Sequence, residues 1–169
     1  YFLGKEGDIV SNKIEIVAIG YEISKYSPNK CVNHTYALKK AFKKLEEKIK
    51  ELRIKDCVYI LGYIPQKDQI QIMYNAIAVL QPTLFEGAPG GGAVREAVFL
   101  EIPAIVSDIP VNKELTDKEI VFFQAGSATD LAEKMEQVIT REPIPRPSLS
   151  VLKAKAVASA QARGDKLLE

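Results

Sequence analysis

Short runs of apolar, mostly β-branched residues recur along the chain, separated by segments of helical periodicity or loop composition. These runs are apolar at successive positions, which is typical of strands that are buried on both faces. Strands of this kind that alternate with helices build a parallel sheet covered on both sides. We therefore predict an α/β fold, with strands over residues 13–20, 57–62, 76–81, 103–107 and 120–123.

Helices are predicted between these strands. Over residues 34–53, apolar side chains recur three and four positions apart and give one continuous stripe. The stripe consists of Leu38, Ala41, Phe42, Leu45, Ile49 and Leu52. Further helices are predicted over residues 68–75, 93–100, 130–140 and 151–168, with Asp68 capping the first of these and Ser127 or Thr129 capping the third. Residues 142–147 hold three prolines and are predicted to form an extended connector.

Composition and charge narrow the class of protein. The length of 169 residues suits one domain with a full core. Lys and Arg number 23 against 22 Asp and Glu, and this near-balance argues against nucleic acid as a partner. The two cysteines, Cys31 and Cys57, indicate neither a disulfide framework nor a zinc site. No apolar run is long enough to span a membrane, and we expect a cytoplasmic location without a metal or cofactor. Because the sequence starts at Tyr1 rather than Met, we expect it to be a fragment.

The loops after the strands are the expected location of function, because parallel α/β sheets bind ligands outside the carboxyl ends of their strands. The loops that follow Gly20, Gly62, Gln81 and Ser107 should lie along one edge. The loop after Gln81 leads into the sequence LFEGAPGGGAVREA at residues 84–97, which carries an acidic residue and a run of three glycines before a helix.

This glycine-rich segment has the composition of an anion site. Gly90, Gly91 and Gly92 permit close backbone approach, and the helix start supplies free N–H groups and partial positive charge, an arrangement suited to a diphosphate. Glu86 and Glu96 would accept hydrogen bonds from sugar hydroxyls. The alternative is that the glycines only form a tight bend and that Glu96 is a solvated helix residue. Neither a P-loop nor a G-x-G-x-x-G fingerprint is present.

Two segments together resemble a known family. LFEGAPGGGAVREAVFLEIPAIVSDIPVNKEL and the preceding ILGYIPQKDQIQIMYNAIAVLQPT are similar to consecutive segments of the retaining group 1 glycosyltransferases, which form family four of the sequence classification. The resemblance covers residues 13–131. It implies the C-terminal, Rossmann-like domain of the GT-B architecture, with helices on both faces of a parallel sheet, and it implies that this domain binds a nucleotide sugar.

The resemblance implies a role for individual residues. Glu86 matches the first glutamate of the family's paired motif, near hydroxyls of the transferred sugar, and we assign it a catalytic role. Glu96 matches the second, which holds the ribose. The stretch that faces the diphosphate and sugar is matched by the three glycines, with Gly87 and Ala93 beside them. The loop that borders the base is matched by Gly62, Tyr63 and Ile64, and Gly20 ends a neighbouring strand at the same edge.

Two departures from the family pattern stand out. The family usually places seven residues between its two glutamates, whereas nine lie between Glu86 and Glu96 here. The family's domain also opens with a strand and a loop that carries an Arg and a Lys for the diphosphate. Residues 1–12 lead directly into the strand at 13–20, so the first strand–helix unit is expected to be missing or vestigial. Without this Arg and Lys, we expect weak donor binding. We also expect little or no transfer by this chain alone, because the acceptor-binding N-terminal domain or chain is a required partner.

Some other residues have both a functional and a structural interpretation. Residues 39–55 hold eight Lys or Arg and three Glu. This excess suggests peripheral contact with an anionic membrane, but the solvated face of an amphipathic helix is the favoured interpretation. For His34 a helix-start or surface role is favoured over that of a catalytic base, and for Asp108 the capping of the turn that follows it is favoured over contact with substrate. Tyr63 either packs against a base or lies half-buried at the rim.

The leading hypothesis is a donor-binding domain that transfers a hexosyl group, with mannose from GDP-mannose preferred over UDP-linked sugars, to a glycan or lipid-linked acceptor in polysaccharide biosynthesis. The alternative is a non-catalytic nucleotide-sugar-binding module or subunit that needs a partner chain. A nucleotide-sugar epimerase is disfavoured, because the single histidine leaves few acid–base groups.

Overall fold

The computed structural model describes residues 2–5, 14–19, 32–62, 64–142 and 145–168. They fall into two compact units, Tyr1–Ile77 and Ala78–Glu169. The prediction of a single domain over the whole length stays a prediction.

The described residues of the first unit form three strands and two α-helices. They are β1 (Phe2–Lys5), β2 (Ile14–Ile19), α1 (Val32–Glu51), β3 (Val58–Gly62) and α2 (Gln66–Asn75). Strands β2 and β3 are parallel and lie at the two predicted positions. Strand β1 runs antiparallel to β2, with Phe2 opposite Val17. The sequence did not predict this strand. Only residues 6–13 separate β1 from β2, fewer than the dozen or so that a parallel crossover requires, so an antiparallel return is the pairing that this connection permits.

Helix α1 has one buried side and one charged side among its described side chains. Ile49 is buried, Phe42 and Leu45 are half-buried, and the lysines from Lys40 to Lys50 are exposed. Lys48 pairs with Glu51 on the exposed side. This arrangement agrees with the solvated face that the sequence favoured, whereas the side chains of Leu38 and Ala41 lie outside the described part.

The predicted apolar stripe is wrong at its end, because Leu52 is 55% exposed. Helix α1 ends at Glu51, and Arg53 takes a left-handed conformation with φ of 56°. Leu52 therefore lies where the chain leaves the helix and no longer follows its apolar face.

Helix α2 begins earlier than predicted, which makes the assignment of Asp68 as its cap wrong. The N-cap is Pro65, whose carbonyl accepts the N–H groups of Asp68 and Gln69 at 2.9 and 3.0 Å, with no side-chain cap hydrogen bond. Proline has no backbone N–H, and an N–H has no intrahelical partner at a helix start, so proline is tolerated at this position. Asp68 lies instead in the first turn, where the partial positive charge of the helix end favours a carboxylate.

The second unit is an α/β layer structure with a parallel three-stranded sheet. Its elements are β4 (Ala78–Gln81), α3 (Gly91–Phe99), β5 (Ala104–Ser107), β6 (Ile120–Phe123), α4 (Ala128–Ile139) and α5 (Leu149–Leu168). Val79 pairs with Ala104 and Ile105 with Val121, which gives the order β4-β5-β6. Helices α3 and α4 flank this sheet. The Rossmann-like α/β prediction is confirmed.

The core of the second unit lies on β4 and β5. Every side chain from Ala104 to Ser107 is buried, as are the first three of β4, so both strands are covered on both faces as their apolar runs predicted. Helix α3 contributes Val94 and Ala97, and α5 contributes Leu152, which is 2% exposed. Full burial of a Val, Leu or Ile side chain stabilises the fold by about 1.5–3 kcal/mol.

Helix α4 confirms one of the two predicted caps. Ser127 is its N-cap, and the Ser127 hydroxyl accepts the N–H of Asp130 at 3.2 Å. In the predicted connector, residues 145–148 lack regular secondary structure, and residues 143 and 144 lie outside the described part. Searching the described helices reveals none with the length and apolar character needed to cross a membrane.

Candidate functional site

The carboxyl ends of β4, β5 and β6 meet at one edge of the second unit, because the three strands are parallel. The loops after Gln81 and Ser107 share this edge, as predicted. The loop after Gly62 belongs to the first unit, and Gly20 lies outside the described residues. This edge of the second unit is the candidate site.

In the turn before α3, position 90 accepts only glycine for steric reasons. This residue is the helix N-cap and has φ of 67°. A Cβ placed on it would lie 2.6 Å from Cβ of Val94 and 3.2 Å from Cδ1 of Leu115. The interpretation as a tight bend therefore accounts for the glycine at this position.

The backbone amides of the turn differ in their partners. The N–H of Gly90 donates to Oδ1 of Asn112 at 2.9 Å, and that of Gly91 donates to the carbonyl of Ala88 at 3.1 Å. The amides of Gly92 and Ala93 have no hydrogen-bond acceptor among the described residues. The predicted anion site at the helix start thus depends on Gly92 and Ala93, since the other two amides are already bonded within the protein.

Glu86 is half-buried and fixed through one of its two carboxylate oxygens. Oε1 of Glu86 accepts hydrogen bonds from Nε2 of Gln81 and, at 3.0 Å, from Oγ1 of Thr83. Gln81 ends β4 and Thr83 lies in the loop after it, so the carboxylate is anchored to the sheet edge. Oε2 has no donor among the described residues, and it keeps the capacity to accept a hydrogen bond from a ligand.

The carboxylate of Glu86 lies against Gly91. A Cβ built on Gly91 would be 2.9 Å from Oε2 and 3.2 Å from Cδ of Glu86, and φ of Gly91 is 59°. A glycine at this position therefore gives the carboxylate access to the start of α3, where the helix partial charge favours a negative group. Glu86 and the two open amides lie at the same helix end.

A buried asparagine ties this edge together. Asn112 is fully buried and begins a short 3-10 helix, Asn112–Glu114, in the connection between β5 and β6. Besides accepting the Gly90 N–H, its side chain donates from Nδ2 to the carbonyl of Ser107 at 3.0 Å and to Oγ of Ser107 at 3.3 Å. The Ser107 hydroxyl in turn donates to the carbonyl of Thr83. Loops that follow two different strands are therefore linked by side-chain hydrogen bonds.

Asp108 lies at the same edge but serves the neighbouring turn. Its Oδ1 accepts the N–H of Ala125 at 2.8 Å, and Lys113 lies 3.4 Å from Oδ2. The hydrogen bond from Ala125 is the largest cause that lowers the pKa of the Asp108 carboxyl from its usual 3.8, with partial desolvation opposing it and Lys113 adding to it. Asp108 therefore caps a turn, but the prediction that this is the turn following Asp108 is wrong, because the capped N–H belongs to Ala125 in the turn after β6.

Two large apolar side chains next to Glu86 face solvent. Leu84 is 71% exposed and Phe85 is 83% exposed. Single exposed apolar residues are ordinary, but this adjacent pair immediately precedes the half-buried carboxylate.

The other predicted site residues fall into three groups. Gly87 and Gly92 are exposed, and a Cβ added to either would have no atom within 4 Å. Ala93 and Glu96 are half-buried on α3, and Ile64 is half-buried in the first unit, where Gly62 ends β3. Tyr63 and Cys31 lie outside the described residues. His34 lies in the first turn of α1, but its side chain is outside the described part, while Cys57 is half-buried before β3.

Sequence reasoning missed the polar residues that hold the edge, namely Gln81, Thr83, Ser107 and Asn112. Two of them, Gln81 and Ser107, are polar residues that end otherwise apolar strands, and this was a usable signal. The burial of Asn112 had no such signal, because an asparagine in a loop is more often exposed.

Comparisons with known proteins identify the family of the chain. The family model described as "Glycosyl transferases group 1" matches residues 11–156. The glycosyltransferase 1 domain-containing protein 1 of Xenopus tropicalis is 27% identical over 104 residues, which cover 62% of this chain and 29% of that protein. The matched part thus spans less than a third of the relative's length.

Proposed function

The chain belongs to the group 1 glycosyltransferase family, and from that premise we propose that the candidate site binds the nucleotide-sugar donor of a glycosyl transfer reaction. In this proposal the diphosphate lies at the start of α3 and the sugar lies beside Glu86. The observation that carries the proposal is the pair of amides, Gly92 and Ala93, that have no acceptor among the described residues at a helix start.

The helix start provides the electrostatic part of the site. Free N–H groups and the partial positive charge of α3 favour an anion, by up to about 2 kcal/mol in a partly buried geometry. Gly92 leaves open space where a side chain would otherwise stand. A diphosphate can therefore approach the backbone closely at this residue.

Glu86 provides the part that recognises the sugar. Because Gln81 and Thr83 hold Oε1, the carboxylate has a fixed direction, and Oε2 is available to a hydroxyl group. A hydrogen bond to a charged group contributes about 1.5–3 kcal/mol. We propose that Glu86 contacts the transferred sugar and that Glu96, on the same helix, contacts the ribose.

The finer parts of the proposal come from the family resemblance. They are retention of anomeric configuration, departure of the nucleoside diphosphate, GDP-mannose as the preferred donor, and a glycan or lipid-linked acceptor. We also propose, from the residue types, that no metal takes part and, from the basic segment 39–55, that the acceptor lies at the inner face of the membrane. Transfer requires the acceptor and the leaving group in one site. We expect little or no transfer by the 169-residue chain alone, measured with labelled donor sugars, and clear turnover would overturn this expectation.

A non-catalytic binding subunit is the alternative function. It is compatible with the same donor contacts, and it differs in requiring no transfer even when an acceptor-binding partner chain is supplied. Transfer by the reconstituted pair that is lost in Glu86→Gln would exclude it.

Donor binding is tested by calorimetric titration with GDP, GDP-mannose, UDP and UDP-glucose. Gly92→Ala places a methyl group where the diphosphate would approach, so we expect affinity to fall by up to about 30-fold, the full contribution of the helix end. Gly164→Ala on α5 is the matched control, because its added Cβ also meets nothing within 4 Å, and it should bind as the parent does. Equal affinities for parent and Gly92→Ala, or no binding by the parent, would refute the placement.

A further inference from the structure

The side chain of Asn112 has two branches of hydrogen bonds. One branch runs to the N–H of Gly90, the N-cap of α3, at 2.9 Å. The other runs to Ser107, whose hydroxyl donates to the carbonyl of Thr83. Oγ1 of Thr83 donates in turn to the carboxylate of Glu86. A single buried residue is thus connected to both the helix start and the carboxylate.

The chemistry of the partners fixes which residue type can stand at this position. A backbone N–H can only donate and a backbone carbonyl can only accept, so the group between Gly90 and Ser107 must present an acceptor to one side and a donor to the other. The carboxamide of Asn112 does both, and its full burial means that water does not replace a lost partner. A hydrocarbon of similar size satisfies neither side.

We propose that Asn112 is a positioning residue that sets the two donor-binding elements relative to each other, the amides at the start of α3 and the carboxylate of Glu86. The inference rests on the proposed function of this edge as the donor site. The Gly90 branch holds the turn from which the amides of Gly92 and Ala93 project. The Ser107 branch holds the loop that directs Glu86. Asn112 itself is too deeply buried to touch the donor.

Two variants distinguish the effects of the two branches. Ser107→Ala removes the hydroxyl and its bond to Thr83 but leaves the carbonyl of Ser107 and the Gly90 bond in place. Asn112→Leu removes both branches. Because the first variant deletes a single oxygen, it serves as the test if the second does not fold.

The readout is the ratio of affinities, which a general loss of folded protein does not change. The probes are GDP with GDP-mannose, and UDP with UDP-glucose, titrated into the 169-residue chain. We expect Ser107→Ala to bind the nucleoside diphosphate as the parent does. Its affinity for the nucleotide sugar should fall, so that the ratio of the two affinities is about tenfold lower than in the parent. We expect Asn112→Leu to lose affinity for the nucleoside diphosphate as well. Ser150→Ala, at an exposed position at the start of α5, is the matched control and should keep both affinities.

A second readout is independent of any donor. The Gly90 amide is bonded to Asn112 in a buried place, and its hydrogen exchange, followed by NMR, should be about tenfold or more faster in Asn112→Leu and unchanged in Ser107→Ala. Both exchange and affinity must follow this pattern to support the proposal. If the parent binds the probes and the variants keep its affinity ratio, the positioning role is overturned while the donor site stands. If the parent binds none of the four probes, the donor site falls and the positioning role falls with it.

Discussion

At the scale of single residues, the three consecutive glycines have three different physical reasons. Gly90 is required because a side chain would overlap Val94. Gly91 is required by its positive φ and by the carboxylate of Glu86 that lies against it. Gly92 has neither constraint, and its open surroundings are the ones that a ligand can use. A glycine cluster in a sequence therefore does not act as one unit, and a substitution scan of this turn has to treat each position separately.

The lowered pKa of the Asp108 carboxyl predicts that the stability of the fold depends on pH. Its folded-state pKa is lowered, mainly by the N–H of Ala125, so the unfolded chain binds the proton more tightly. The stabilisation is fully present above the ordinary value of 3.8 and is lost as pH falls below it. We expect Asp108→Asn to be less stable than the parent at neutral pH, and the difference to narrow as pH falls below 3.8. Urea denaturation across this range measures it.

Lys113→Met is the matched control for Asp108. Neither the hydrogen bond nor the charge of Lys113 lowers the pKa of Asp108 as much as the hydrogen bond from Ala125 does, so this variant should keep the part of the acid-side loss of stability that Ala125 causes. A gap between the parent and Asp108→Asn that stays constant with pH would contradict the assignment.

The role of a residue could be predicted from the sequence only where neighbouring positions along the chain form a pattern. Glu86 and Gly90 could be selected because an acidic residue and glycines between a strand and a helix form a pattern along the chain. The role of Asn112 could not be predicted, because its partner Gly90 lies 22 positions away, and its other partner, Ser107, is bonded to Thr83, which lies 24 positions from Ser107. Long-range hydrogen bonding of a polar residue leaves no periodicity for a single sequence to show.

At the scale of elements, two helices end in the same way without the residue that usually permits it. In α3 the N–H of Ile102 donates to the carbonyl of Ala97 and that of Glu101 to Val98, which is the Schellman pattern. The corresponding bonds at the end of α1 involve Ile54 and Arg53. Glu101 and Arg53 have φ of 57° and 56°, a conformation that glycine normally supplies. Each helix end therefore carries backbone strain.

Glu101→Gly should relieve this strain. The left-handed conformation costs a non-glycine residue about 1–2 kcal/mol, and the exposed ion pair with Lys155 that the substitution removes contributes about 0–1 kcal/mol. We expect a net gain in stability of about 1 kcal/mol, measured by thermal and chemical denaturation. Gly126→Ala, at φ of 82°, is the reciprocal control and should lose a similar amount. A loss of stability in Glu101→Gly would show that the ion pair outweighs the strain.

Elements were predictable where apolar periodicity decides them. Strand β6 occupies the predicted residues 120–123, and α1 begins and ends within two residues of expectation. The start of α2 was predicted from the capping tendency of Asp68, whereas the helix begins directly after Pro65, whose missing N–H costs nothing at a helix start. Strand β1 was missed because its direction depends on the length of the connection to β2 and on pairing, and not on its own composition.

At the scale of the whole molecule, the candidate site lies on the unit that contains the buried strands β4 and β5. The side chains of β5 are all buried, and the loops of the site begin directly at the ends of β4 and β5. Loops can be precise in such a place because the elements that support them are rigid. The sequence predicted this arrangement in outline, since apolar runs mark the sheet and the carboxyl ends of parallel strands mark its edge.

The contribution of this core is measured by a pair of truncations. Ile105 is fully buried in the central strand, so Ile105→Ala should reduce the free energy of unfolding by about 2–5 kcal/mol. Leu52→Ala truncates a side chain of similar volume at a position that is 55% exposed, and it should change the free energy of unfolding by about 0.5 kcal/mol at most. Urea denaturation of both variants tests this, and equal losses would mean that the parallel sheet is not the main source of stability.

Because Phe85 is exposed, its position suits a fluorescent reporter of ligand binding. The chain contains no tryptophan, so Phe85→Trp would introduce a single indole emitter whose ring stands in water beside Glu86. Its emission maximum would report solvent polarity at that spot, and quenching or a blue shift during titration would follow the arrival of a ligand in real time.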